Sequence, residues 1–424
     1  MLDIEYIQAN IKGIEEAAKN KNFPIDLPKL LEVNEQRRDL IHKVDQLRTE
    51  RNTISKNIPK LQGEEKQNAI QQGKDLRVQL GELESNLDKV KADFNDLMLR
   101  VPSVPLAEVP IGKSDEDNVE IRKWGELPHF DFKAKDHVTL GESLNIIDIT
   151  RGVKIAGQKN YFLKNEGCLL EWAVLQYALN HLVKRGFSPY TVPLMVHREA
   201  MEGTGYFPGG EDQAYTLTKD DLYLVGTSEV SLCSQYKGET LAEQSLPIKM
   251  AGLSNCFRRE AGTYGKDTHG LYRIHQFQKV EQVVIAVNDP IESEKMHFEL
   301  LSNAEEILQS LDLPYRVVRV CTGDLGMGQV IKHDLECWMP SRNSYGETHS
   351  CSSFYDFQSR RLKIKYKDKN GDTHFAHTLN NTSIASPRIL IPLLEMNQQA
   401  DGSVIIPKPL QPYMNGVGRI EPKS

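Results

Sequence analysis

Two heptad runs in the first hundred residues constrain the fold more than anything else in the chain. Leu30, Val33, Leu40, Val44, Leu47, Ile54 and Ile58 recur at steps of three and four, with Arg37 and Arg51 filling the two polar gaps. Apolar residues at this spacing form one stripe along a helix, and the stripe needs a second helix to cover it. A break follows from Asn57 to Gly63, where Pro59 and Gly63 disfavour a continuous helix. The pattern resumes in Leu76, Leu80, Leu83, Leu87, Val90, Phe94 and Leu97. Two helices of similar length joined by a short turn are read most simply as an antiparallel coiled-coil hairpin, over about residues 28–98. With roughly thirty to forty residues per helix at about 1.5 Å each, the arm projects on the order of 50 Å.

An arm this thin buries little, and its periodicity leaves two tasks open: dimerisation and RNA binding. Arg48, Arg51, Lys56, Lys60, Lys66, Lys74 and Arg77 cluster toward the expected tip, but acidic residues are interleaved and charged flanks suit any solvated coiled coil. The formal net charge of -7 gives no global attraction for nucleic acid, so any RNA contact must come from local basic patches.

The whole chain has 424 residues and is 39% hydrophobic, enough for a large core and two domains. Its six cysteines are scattered, with no C-x-x-C and no paired Cys/His spacing, so free thiols in a reducing compartment are expected and a structural zinc is not. The start lacks the layout of a signal peptide, and no stretch approaches eighteen uninterrupted apolar residues. These features place the protein in the cytoplasm, away from membranes.

The expected division is a helical domain over residues 1–100, a Pro-punctuated linker over 101–114, and a second domain over 115–424. Gly112-Lys113-Ser114 imitates the end of a P-loop, but Ala107 occupies the required glycine position and no strand precedes it. No G-x-G-x-x-G fingerprint occurs, so a parallel, doubly wound nucleotide fold is not expected. The second domain alternates long helices with strands in a manner that suits a mainly antiparallel sheet, which makes the fold class α+β.

Its most specific segment is Phe257-Arg258-Arg259-Glu260-Ala261-Gly262, a polar Gly-containing loop, and then Tyr272-Arg273-Ile274-His275-Gln276-Phe277-Gln278-Lys279-Val280-Glu281. Two strands joined this way bring an arginine, two carboxylates and an aromatic to one surface. Arg258 suits a bidentate phosphate clamp, Phe277 a flat face for a purine, and Glu260 an acceptor for an exocyclic amine. In isolation, Arg258 and Glu260 read more readily as a surface ion pair worth under about 1 kcal/mol.

This segment resembles motif 2 of the class II aminoacyl-tRNA synthetases, in the wording of the seryl-tRNA synthetases. Other segments resemble the same family in the same order. Glu166 to Arg185, followed by Gly186 to Pro193, is similar to motif 1, whose helix and strand build a dimer interface. Val225-Gly226-Thr227-Ser228-Glu229 is similar to the element that receives the serine amino group. Glu347-Thr348-His349-Ser350 is similar to the nucleotide and magnesium element, with His349 and Ser353 departing from the usual serine and asparagine. Asn380 to Arg388, followed by Glu395-Met396-Asn397-Gln398, is similar to motif 3, where Asn381, Ser383 and Pro387 replace common glycines. Pro392 lies inside the helix expected after Arg388, so a kink is expected there.

The resemblance implies a homodimeric, bacterial-type enzyme of class II fold that activates L-serine with ATP and transfers it to the terminal ribose of tRNA-Ser, with tRNA-Sec as a second acceptor. It implies Arg258 and Arg388 as catalytic residues, and Thr227, Glu229, Arg258, Glu281 and Thr382 around serine. ATP falls to Arg258, Arg259, Glu260, Ile274, Phe277, Glu347, Thr348, His349, Ser350 and Arg388, and Mg²⁺ to Glu347 and Ser350. It turns the hairpin into a grip on the long variable arm of the tRNA, with Arg48, Arg51, Lys56, Lys60, Lys74 and Arg77 as contacts. Two rivals are a paralogue that binds RNA without aminoacylation and a ligase that loads a carrier protein. Retained Arg258, Glu281 and Arg388 oppose the first, and the hairpin opposes the second.

Overall fold

The computed structural model describes residues 1–262 and 269–422, so most of the loop expected after Gly262 lies outside the described residues. The chain divides into two compact units, Leu2–Pro102 and a larger one made of Met1 and Ser103–Ser424.

In the smaller unit, α1 spans Leu27–Asn57 and α2 spans Gly63–Leu99. Asp26 caps α1 by accepting from the Lys29 amide at 2.9 Å, and Pro28 sits in the first turn, where no N–H is needed. A single 3₁₀ turn, Ile58–Lys60, holds Pro59, and Gly63 opens α2 at φ +58°, a conformation costly for any residue with a Cβ. Val44, Leu80 and Leu87 are buried in the seam with Leu40, Ile41, Leu47 and Leu83 packed around them. Arg37, in a polar gap of the heptad, lies over the Phe94 ring at 4.2 Å and donates to Asn34 at 2.8 Å.

In the larger unit the main sheet contains β1 (Val119–Trp124), β2 (Ser188–Thr191), β3 (Ile248–Phe257), β4 (Gln276–Ala286), β5 (Tyr315–Arg319), β6 (Ile331–Met339), β7 (Ser344–Tyr355) and β8 (His377–Ser386). Their order is β1-β5-β6-β7-β8-β4-β3-β2. Every pairing is antiparallel except that of β2 with β3. Around it lie α3 (Glu166–Lys184), α4 (Arg198–Thr204), α5 (Glu229–Ser234), α6 (Pro290–Ser310), α7 (Phe357–Leu362) and α8 (Leu390–Met396). Leu170, Val174 and Leu182 of α3 and Leu300, Leu301, Ala304 and Ile307 of α6 join Val280, Val284, Leu335 and Ile384 of the sheet in one apolar core.

The β8 sequence His-Thr-Leu-Asn-Asn-Thr-Ser-Ile-Ala-Ser is too polar for an ordinary core strand, and its side chains find partners on several elements: His377 and Asn381 on α6, Thr378 on α7, Thr382 on β4 and Ser386 on α3. Asn381 donates to the Leu300 carbonyl at 2.7 Å, and Gln282 of β4 donates to the same oxygen at 3.1 Å. The residues at 381 and 383 are fully buried within a continuous strand, so the non-glycine side chains are accommodated there.

Two expectations change. Pro392 falls in the first turn of a short α8, where a missing N–H breaks no helical bond, so the cause of the expected kink is absent. The stretch read as a linker is extended but packed on the larger unit from Ser103 onward. Ser103 N donates to Met327 O at 3.0 Å and Leu106 N to Val330 O at 2.9 Å, and Val109 is buried against Val320, Leu325 and Ile331.

Candidate active site

The candidate residues meet where β3, β4, β7 and β8 lie side by side, and strand register decides which of them are neighbours. Arg258 follows the last residue of β3; its backbone N donates to His275 O at 3.0 Å, and the His275 ring returns a contact to Arg258 O at 3.0 Å. So fixed, the half-buried guanidinium lies over the Phe277 ring at 5.2 Å and donates to Gly226 O at 3.4 Å. Ile274 is buried, and Arg259 is exposed. Glu260 takes φ +49° and pairs with Arg273 at 3.0 Å. Gln213 holds the start of the turn at two points, donating to Ala261 O at 2.9 Å and accepting from Ala261 N at 3.2 Å.

Glu281 and Thr382 oppose each other across the β4–β8 ladder, just past a bulge, and the Thr382 hydroxyl donates to Glu281 at 3.4 Å. Glu281 is 2% exposed and forms a short ion pair with Lys279, two residues back on the same strand face. Glu229 begins α5 and is 4% exposed; Tyr206 donates to one carboxylate oxygen at 3.1 Å and Gln358 to the other at 2.7 Å. Burial pushes its carboxyl up to about 7, with Glu281 nearby adding to the rise and Gln358, Lys279 and Tyr206 opposing it. Thr227 is buried, its hydroxyl accepting from Glu229 N at 3.3 Å.

Arg388 precedes α8 and donates to Glu347 O at 3.0 Å and Tyr272 O at 3.3 Å, and its guanidinium stacks on the Tyr272 ring at 4.5 Å. Arg342 covers the same ring at 4.4 Å. Burial disfavours charge on Glu347, but Arg388, Lys332, Arg258 and Arg273 outweigh it and hold this carboxyl below its ordinary range. A carboxylate kept ionised and 45% exposed among arginines suits a site where a polyphosphate and a hard cation meet. Ser350 opposes Asp334 in the β6–β7 ladder, and one buried oxygen of Asp334 has no hydrogen-bond partner among the described residues. A hydroxyl and a carboxylate at Ser350 and Glu347 therefore fit Mg²⁺ as hard donors.

Thr348 and His349 are not gathered with the charged groups. The Thr348 hydroxyl lies 3.2 Å from Leu335 O, and the buried His349 ring contacts Thr348 at 2.8 Å and Ser383 O at 3.1 Å. Burial lowers the His349 imidazole to about 4, so the ring is neutral at ordinary pH. The six tip cations expected to contact tRNA are dispersed: Arg48 bonds Glu84 across the hairpin at 2.7 Å, Arg51 bonds Asn52 at 3.1 Å, and Lys56, Lys60, Lys74 and Arg77 are exposed. Sequence reasoning gave no role to Tyr206, Tyr272, Arg342 and Gln358. It named Lys279 only as a letter of the motif, although its spacing from Glu281 already places both on one strand face.

Comparison with known proteins gives the chain a family. Residues 1–105 match the seryl-tRNA synthetase N-terminal domain, and residues 215–397 match the tRNA synthetase class II core domain (G, H, P, S and T). Among curated relatives, the serine–tRNA ligase of Deinococcus radiodurans is 47% identical over 98% of both chains, and that of Treponema denticola 42% over 97% of this chain and 98% of its own. The crystal structure of a Pyrococcus horikoshii seryl-tRNA synthetase complexed with ATP aligns at TM-score 0.89 and 36% identity, covering 100% of both chains. A Naegleria fowleri serine–tRNA ligase in complex with AMP aligns at TM-score 0.84 and 30% identity, over 99% of this chain and 97% of that one.

Proposed function

The chain belongs to the seryl-tRNA synthetases, and we propose that this site activates L-serine with ATP and that the enzyme transfers the seryl group to tRNA-Ser. One observation carries the assignment of residues: two buried carboxylates, Glu229 and Glu281, lie near enough to raise the Glu229 carboxyl together with its burial, and both of them and Arg258 act on the buried Tyr206 hydroxyl. A zwitterion with a hydroxyl side chain satisfies such a set. Glu229 and Thr227 take the ammonium, Arg258 the carboxylate, and Glu281 with Thr382 the hydroxyl. Alanine would leave the last pair without its partner, which in favourable cases costs about four to five orders of magnitude in specificity.

ATP lies over Phe277, with Arg259, Glu260 and Ile274 around the base and Arg388 at the phosphates. Glu347 and Ser350 act through their side chains, Thr348 and His349 through the main chain. The serine carboxylate attacks the α-phosphorus and pyrophosphate leaves. Arg258 and Arg388 stand ready to meet the charge that develops, so positioning and fixed cations supply the catalysis. Glu347 and Ser350 would hold Mg²⁺, which when bound would supply further positive charge to the phosphates. In the second step the terminal ribose hydroxyl of the tRNA attacks the seryl carbonyl of the adenylate, the bond to the phosphate breaks and AMP leaves, its phosphate taking the proton, as the family resemblance implies.

The hairpin grips the tRNA through Arg48, Arg51, Lys56, Lys60, Lys74 and Arg77, and tRNA-Sec is a second acceptor. Trp172 and Val183, 56% and 45% exposed on α3, support a homodimer built on that helix. Six free thiols suit the cytoplasm. Serine-dependent exchange of pyrophosphate into ATP, followed by charging of a tRNA mixture, tests the whole reading. Exchange driven by alanine or threonine in preference to serine would overturn the pocket assignment.

A further inference from the structure

Gln358, the second residue of α7, is 1% exposed and 129 residues along the chain from Glu229, yet it touches that carboxylate. Its amide is fully engaged. Nε2 donates to Glu229 Oε1 at 2.7 Å and to Thr204 O at 3.0 Å, while Oε1 accepts from the Thr378 hydroxyl at 2.6 Å and, more weakly, from the Cys233 thiol at 3.7 Å. A backbone carbonyl only accepts, so the nitrogen must face Thr204, and the amide has one orientation. Its second N–H then points at Glu229, whose other oxygen is taken by Tyr206. Two neutral donors from separate elements hold the carboxylate still while leaving its charge uncancelled.

We propose that Gln358 is the positioning residue of the ammonium site: its amide, locked between Thr204 and Thr378, holds Glu229 where the serine amino group is received. This rests on Glu229 being the ammonium acceptor. A purely structural tie between α7, α4 and β8 is the rival account, and the two differ in what they do to serine alone. The ionisable groups facing Glu229 are Tyr206 from the loop after α4, Cys233 of its own helix, and Glu281 and Lys279 of β4. Acidification protonates Glu229 and weakens its hold on an ammonium, so the serine KM climbs as pH falls. A lost donor to the carboxylate moves that climb to higher pH.

The test is serine-dependent pyrophosphate exchange by the full-length enzyme between pH 6 and 9, using Gln358→Met and Gln358→Glu. Gln358→Met should raise the serine KM about tenfold or more, leave the ATP KM within about twofold, and move the acid climb up by about one pH unit. Gln358→Glu keeps the shape and the acceptor for Thr378, and carries the test if the methionine variant fails to fold. It should harm serine binding more at pH 9, where two carboxylates repel, than at pH 6, where they share a proton. Equal changes in both KM values, or an unmoved pH profile, would reduce Gln358 to a structural tie. Glu229→Gln separates the two failures: if it leaves the serine KM unchanged, the ammonium assignment itself falls. If it raises the serine KM while both Gln358 variants behave as wild type, only the positioning role falls.

Discussion

Arg258 reaches its place through backbone bonds to His275 and a ring beneath it, so removing its side chain should leave the strands intact. Arg258→Ala should slow serine-dependent adenylate formation by at least about a hundredfold, the scale of losing one preorganised transition-state contact. A folded variant with near-normal pyrophosphate exchange would refute its role. Glu281 needs a gentler substitution. Truncation to alanine strands buried Lys279 without its counter-charge, a loss of about 3–5 kcal/mol, whereas Glu281→Gln keeps the shape and softens that penalty. Glu281→Gln should raise the serine requirement far more than the ATP requirement in steady-state exchange; equal effects on both would contradict the pocket. His349 links the site to acid stability. Its imidazole sits at about 4 when folded against an ordinary 6.5, so the stability it contributes is full above 6.5 and lost as pH falls through 4. Glu229 has the opposite sign: raised to about 7, it favours the fold below its ordinary value and loses that advantage as pH rises through 7. Urea midpoints measured from pH 7 to 4 should fall less steeply in His349→Gln than in the parent, though buried His297, His333 and His377, all lowered, preserve part of the slope.

At the scale of elements, legibility follows the range of the signal. The hairpin could be read directly because a heptad is local: Val44, Leu80 and Leu87 lie where the spacing places them. The pocket could not, because its neighbours come from strand register. Val280 faces Ile384, and unbroken alternation would pair Glu281 with Ser383. A bulge after Val280 gives it Thr382 instead. A second bulge, between Leu335 and Glu336, leaves Thr348 as the extra residue, so Glu347 stays with the charged groups while His349 turns inward. Such shifts leave no trace in composition or period, and only the family resemblance located Thr382 beforehand. Gln358 carries no local signal at all. The seam also yields a prediction: Leu80→Ala should destabilise the hairpin by about 2 kcal/mol, the low end for a core leucine because a thin arm relaxes easily. Amide exchange in α1 and α2 should quicken and charging should fall while pyrophosphate exchange holds; an unchanged charging rate would separate hairpin order from tRNA capture.

For the whole molecule, the proposed function gives the two units separable tasks. Adenylate formation needs only small molecules, whereas charging needs a macromolecule captured at a distance. Replacing roughly residues 35–92 with a short Gly/Ser connection should spare pyrophosphate exchange and abolish efficient charging, leaving weak, salt-sensitive RNA affinity. Sedimentation of the same variant checks the assembly. A monomer would make the hairpin an oligomerisation element, and a dimer that charges normally would remove it from substrate capture. The Arg37 and Phe94 layer adds a constraint on how such arms change in length. Sliding α2 by one heptad would set the guanidinium against an aliphatic leucine and separate Arg48 from Glu84. The two strands of the arm are therefore keyed like a lock, and the reach of the arm changes only in quanta: a heptad inserted on one side of the layer must be matched by another on the facing helix, each pair moving the tip by about 10 Å.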